Sequence, residues 1–118
     1  MDRALQHHRE RLGEAIRAEL TTIIEGELGD PRIGPVAVSE VHLSPDGKSV
    51  SVFVAVPEDQ QAAEDSIVGL MAARGYIRRE LAERLGLRRA PEVVFQLDRS
   101  QQYTARIEEL LRRIKRKR

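Results

Sequence analysis

The chain has no cysteine and no tryptophan, and only two phenylalanines and two tyrosines among its 118 residues. Without cysteine there is no disulfide framework, no thiolate metal site and no cysteine nucleophile, which suits a reducing compartment. So few aromatics predict a small core of aliphatic side chains. They also argue against sequence-specific reading of single strands, which stacks bases on Phe, Tyr or Trp; Tyr76 and Tyr103 are the candidates for stacking. No apolar run approaches the ~18 residues of a membrane span, and the longest, residues 52–56, is strand-sized. The N-terminus has no apolar signal region, and Asp2, Glu10 and Glu14 exclude an acid-poor transit peptide. A cytoplasmic protein without a membrane partner is expected.

Catalytic signatures are missing too. There is no GxGxxG and no Walker A sequence. His7 and His8 are adjacent and diverge on a helix, and His42 falls in a strand, so no His/Asp/Glu set has metal-ligand spacing. Glu25, Glu27 and Asp30 supply carboxylates with no nucleophile, histidine or phosphate loop beside them. The expectation is no enzyme, no metal or other cofactor, and no small-molecule substrate.

What is present is an uneven distribution of charge. The net charge is only +1, but residues 1–70 hold 6 Lys/Arg against 13 Asp/Glu, a net of −7, and residues 71–118 hold 14 against 6, a net of +8. Such a split points the basic half at an anionic partner, nucleic acid above all. The length fits one domain.

Hydrophobic spacing gives the elements. Leu5, Leu12, Ile16, Leu20, Ile23, Ile24 and Leu28 recur at helical intervals over residues 3–28, with Gly26 or Gly29 and then Pro31 ending the helix. After the turn formers Asp30-Pro31-Arg32-Ile33-Gly34-Pro35, residues 36–43 read as a strand whose apolar parity shifts near Ser39-Glu40, the mark of a bulge. Ser44-Pro45-Asp46-Gly47-Lys48 is a turn, and Val50, Val52, Val54 and Val56 alternate in a second strand, making a hairpin. Pro57-Glu58-Asp59 opens a helix with the stripe Ala62, Ala63, Ile67, Leu70 and Met71, resumed after Gly75 by Ile77, Leu81 and Leu85; Gly86 is the C-cap. Val93, Phe95 and Leu97 alternate in a third strand, and Asp98 or Ser100 caps a last helix bearing Ile107, Leu110, Leu111 and Ile114. The fold class is therefore α+β, a three-stranded sheet with helices packed on one face.

Inside the middle helix stands Ala72-Ala73-Arg74-Gly75-Tyr76-Ile77-Arg78-Arg79. A helical glycine is about 1 kcal/mol worse than alanine, so Gly75 predicts a kink and a close approach, either by a neighbouring element of the fold or by an RNA backbone. The arginines around it favour an anion.

Helix-first order followed by strand, strand, kinked helix, strand is that of a bacterial (type II) KH domain. An ordinary KH domain clamps nucleotides with a GxxG loop, which is absent here; Ala73-Arg74-Gly75 occupies its place. This resembles the ribosome-binding factor A family. So do Asp30-Pro31-Arg32-Ile33-Gly34, Val41-His42-Leu43-Ser44-Pro45-Asp46, Gly75-Tyr76-Ile77-Arg78-Arg79, Leu87-Arg88-Arg89-Ala90-Pro91-Glu92, Asp98-Arg99-Ser100 and Ala105-Arg106-Ile107. Thr104 departs from the family's glycine. The resemblance covers residues 5–111. It implies a monomeric factor that binds the small (30S) ribosomal subunit and its 16S rRNA and assists late maturation and 5′-end processing, especially in the cold, without catalysis.

The expected contacts are Ala73, Arg74, Gly75, Arg78 and Arg79 at the kink, Arg88 and Arg89 beyond it, Arg32 in the loop, and Arg112, Arg113, Lys115 and Arg116 in a basic tail, residues 112–118, that follows a KH-like domain of residues 1–111. A solvated helix face with pairs such as Glu80–Arg84 is the plainer reading of the arginines. Two rival functions are a general single-stranded RNA-binding module and a protein adaptor docking through the acidic first helix.

Overall fold

The computed structural model describes residues 3–56, 59–100 and 112. Helix α1 (Arg3–Gly26) is followed by strands β1 (Ala37–Leu43) and β2 (Ser49–Ala55), helices α2 (Gln60–Ala72) and α3 (Arg74–Leu85), and strand β3 (Glu92–Leu97). The sheet order is β1-β2-β3, with β1 antiparallel and β3 parallel to β2. The expected last helix falls on residues outside those described; Asp98, one of its two expected caps, accepts hydrogen bonds from the Ser100 amide and hydroxyl.

The sheet's inner face and the helices share one aliphatic core. Ile16, Leu20, Ile23 and Ile24 of α1, Val50, Val52 and Val54 of β2, Leu70, Ile77, Leu81 and Val93 are all buried. The hairpin turns where Gly47 takes φ +73°, a value a side chain would resist. Its register slips between Val38 and Glu40, the expected bulge. The freed backbone groups are met from α1: the Val38 amide donates to Glu25 (2.9 Å) and Arg17 donates to the Ser39 carbonyl (3.3 Å). Asp59 caps α2 by accepting from the Ala62 amide at 2.9 Å, and Gly86 ends α3 in the left-handed conformation.

Three expectations need correction. The helix breaks at Ala73 (φ −87°, ψ 0°), and Gly75 sits inside the first turn of α3. The Ala73 amide is shared between the Gly69 and Leu70 carbonyls, and the Ile77 amide then begins a new ladder on the Ala73 carbonyl. On either side of the break the neighbours differ: α2 lies against β3 and α3 lies against α1. Second, Met71 is not in the buried stripe but 46% exposed, and its neighbour Val68 is 50% exposed. Burial follows Ala63, Ser66 and Leu70, and Met71 is turned about 100° from Leu70.

Third, the close approach by a neighbouring element of the fold is at Gly69 and not at Gly75. A Cβ at Gly69 would lie 2.6 Å from Ile33 Cγ1, whereas nothing lies within 4 Å of one at Gly75. One turn before Gly69, buried Ser66 accepts the Gly34 amide at 3.1 Å. Loop 30–34 is thus seated on α2 by a missing side chain and a hydroxyl. Gly69→Ala should lower stability by about 1–3 kcal/mol through overpacking. Gly75→Ala should raise it by up to about 1 kcal/mol. Chemical denaturation of both variants checks the opposite signs.

Candidate nucleic-acid interface

The break at Ala73 creates a helix start in mid-surface. The first amides of any helix lack intrahelical partners and carry the positive end of its dipole. At α3 no side chain caps them, and its first turn contains no acid. Arg74, Gly75 and Tyr76 are exposed there, and the space that a side chain at Gly75 would enter is open. An uncapped helix N-terminus of this kind suits phosphate.

Guanidinium groups flank it. Arg74 Nε donates to the Met71 carbonyl at 3.2 Å, holding its side chain against the end of α2. Arg78, one turn on, donates to the Ala90 carbonyl at 3.2 Å. This second bond brings α3 to the segment that carries Arg88 and Arg89, so two stretches of sequence merge into one basic surface. Arg79, Arg88 and Arg89 are exposed. Ala73 itself is half-buried against the core.

The remaining expected residues divide. Arg32 lies beside Gly69 of α2 and is bound to Asp30 at 2.6 Å, with further bonds from its Nε to both carboxylate oxygens. Those bonds hold the Asp30 carboxyl down at about 2 from an ordinary 3.8. Asp30 also accepts the Arg32 amide at 2.9 Å, so the pair is first a turn-closing device. Arg112 is exposed; Arg113, Lys115 and Arg116 lie outside the described residues.

Arg84 realises the plainer reading. Its guanidinium binds Glu27 (2.8 Å), Glu80 (2.9 Å) and Glu19 (3.3 Å), and its side chain is only 26% exposed. The carboxylates, Glu27 foremost, hold its proton more firmly than usual. It locks α3 to α1 and is absorbed by the fold. Among the described residues no group of three or more His, Asp or Glu side chains is placed to hold a metal, and no helix is long and apolar enough to cross a membrane.

Sequence reasoning missed Ser66 and Gly69 as the seat of the loop, Glu25 and Arg17 as ligands of the bulge, and Arg84 as a three-carboxylate lock. A glycine in mid-helix was the one visible signal, at Gly69 as much as at Gly75. The partners were invisible because each lies on a different element.

Helix, hairpin, broken helix pair and parallel third strand define a KH-like domain of the helix-first type. Similarity to known proteins specifies it further. The family model for ribosome-binding factor A matches residues 8–111, and the chain belongs to that family. It is 62% identical over 112 residues to the ribosome-binding factor A of Koribacter versatilis, covering 95% of this chain and 91% of that one. Its fold matches the crystal structure of ribosome-binding factor A from Thermus thermophilus at TM-score 0.59 and 29% identity, over 80% of this chain and 96% of that one. It also matches the Thermus thermophilus ribosome binding factor A fitted into a cryo-EM map of a 30S complex at TM-score 0.56 and 31% identity, over 72% of this chain and 93% of that one.

The paired Asp30 predicts a pH effect. Its folded pKa is depressed, so its contribution is present above the unfolded value near 4 and lost as pH falls through about 2. Asp30→Asn should therefore lower the denaturation midpoint at pH 7, with the gap to wild type closing by pH 2. Arg84→Met should lower the midpoint at pH 7, where Arg88→Ala should leave it unchanged; urea titrations read both.

Proposed function

We propose that the protein is an assembly factor that binds the small (30S) ribosomal subunit, contacts its 16S rRNA and assists late maturation, including completion of the RNA's 5′ end and growth in the cold. It acts as a cytoplasmic monomer and performs no catalysis of its own; the cutting belongs to nucleases. Family membership and the 30S complex of the similar Thermus protein support this reading.

The observation that carries it is the uncapped, open start of α3 at Gly75 between Arg74 and Arg78. Helix-start amides take a phosphate, and the arginines add charge and bidentate or stacking contacts. Arg79, Arg88 and Arg89 extend the surface. Arg32 and the basic residues Arg112, Arg113, Lys115 and Arg116 add affinity at its margins without sequence preference. The single-stranded alternative lacks support, since Tyr76 is the one exposed aromatic among the described residues. Recognition rests on RNA shape and backbone.

Co-sedimentation with small subunits, large subunits and free RNA at two salt concentrations tests the assignment. Selective, salt-sensitive binding to small subunits is expected; equal binding to every RNA would sink it. Gly75→Ala, a folded and slightly stabilised variant, should bind small subunits more weakly, because its methyl occupies the space at the α3 amides. Replacing Arg88 and Arg89 by alanine should reduce the log-log salt slope by about 1–2.

A further inference from the structure

The outward face of α2 has a different chemistry from α3. Helix α2 contains no Lys or Arg. Along its exposed side run Glu64 and Asp65, then Val68 at 50% exposure and Met71 at 46%. Val68 and Met71 are two of the four large hydrophobic side chains left exposed among the described residues. The two carboxylates are pre-positioned: Gln60 donates to Glu64 at 3.1 Å and Gln61 to Asp65 at 2.9 Å. The face ends at Met71, whose carbonyl holds Arg74, so the acidic-apolar ridge and the basic surface meet at the helix break.

We infer that this ridge docks a basic protein segment with an apolar anchor, a protein neighbour of the RNA that α3 contacts on the small subunit. The inference rests on the small-subunit reading above. Charge complementarity selects the occupant: Glu64 and Asp65, with no cation on their helix, repel a phosphate backbone within a Debye length of about 8–10 Å and attract lysines or arginines. The apolar pair spans one helical turn, the spacing at which a partner's side chain inserts between ridges. Steering by the carboxylates and burial of Val68 and Met71 divide the work between encounter and retention. On a ribonucleoprotein, where RNA and basic protein adjoin, a two-sign helix pair can read both at once.

The test is a charge reversal whose sign separates the two partners. Small subunits and protein-free 16S rRNA are each titrated with the full chain carrying Glu64→Lys and Asp65→Lys, and with Val68→Ser and Met71→Ser. The reversal should weaken binding to small subunits about tenfold and leave binding to bare 16S rRNA equal or tighter. The serine pair, solvent-facing and thus expected to leave the melting temperature unchanged, should weaken subunit binding several-fold and bare-RNA binding not at all. Tighter binding of the reversed chain to both ligands would give the face to RNA, or to the chain's own basic tail, and overturn the inference. Unchanged subunit binding by both variants would overturn it as well, as would a concentration-dependent dimer of the wild type dissolved by the serine pair. Failure of the functional reading shows separately, as a wild-type chain with no preference for small subunits.

Discussion

The contact on which the molecule turns is between the missing side chain of Gly69 and the branched side chain of Ile33. Van der Waals exclusion admits that approach only because no Cβ is present. With Ile33 in place, the Gly34 amide reaches the Ser66 hydroxyl, and the connection between α1 and β1 is pinned to α2. Helix α2 lies against that loop and β3, while α3, with Ile77 and Leu81 buried, lies against α1. The change comes at Ala73, and Arg74 and Gly75 are exposed where α3 starts.

Electrostatics is sorted by the same geometry. Arg84, one turn beyond Glu80, points back over α1 and is consumed by three carboxylates. Arg32 is paired with Asp30 and stays half exposed. Arg74 and Arg78 of α3 donate to carbonyl oxygens, which orient a guanidinium without neutralising it. Similar residue types are thus neutralised or left charged according to what stands opposite. Crossing the break from α3 to α2 changes the surface from cationic to acidic and apolar over a few residues.

Element identity and order were legible in the sequence because each is written in local periodicity. The aliphatic repeat of α1, the valine alternation of β2, the parity slip that marks the β1 bulge and the left-handed Gly86 cap all follow from side chains a few residues apart. The KH-like class follows from their order, and the basic character of the Arg74–Arg78 region from composition. The break falls at Ala73, the first residue of the Ala73-Arg74-Gly75 stretch that the resemblance marks, and not at Gly75, where intrinsic propensity points to a kink.

The sequence by itself thus determined the fold class, the aliphatic core and the half of the chain that carries the excess positive charge, since periodicity and net charge need no knowledge of partners. Tertiary structure decided which glycine is a packing necessity and which is open space, and which arginine is a lock and which is available. It also brought Arg88 and Arg89 alongside α3. Those distinctions depend on residues tens of positions apart, such as Ile33 with Gly69 and Arg84 with Glu19, and such distances exist only once the chain has folded.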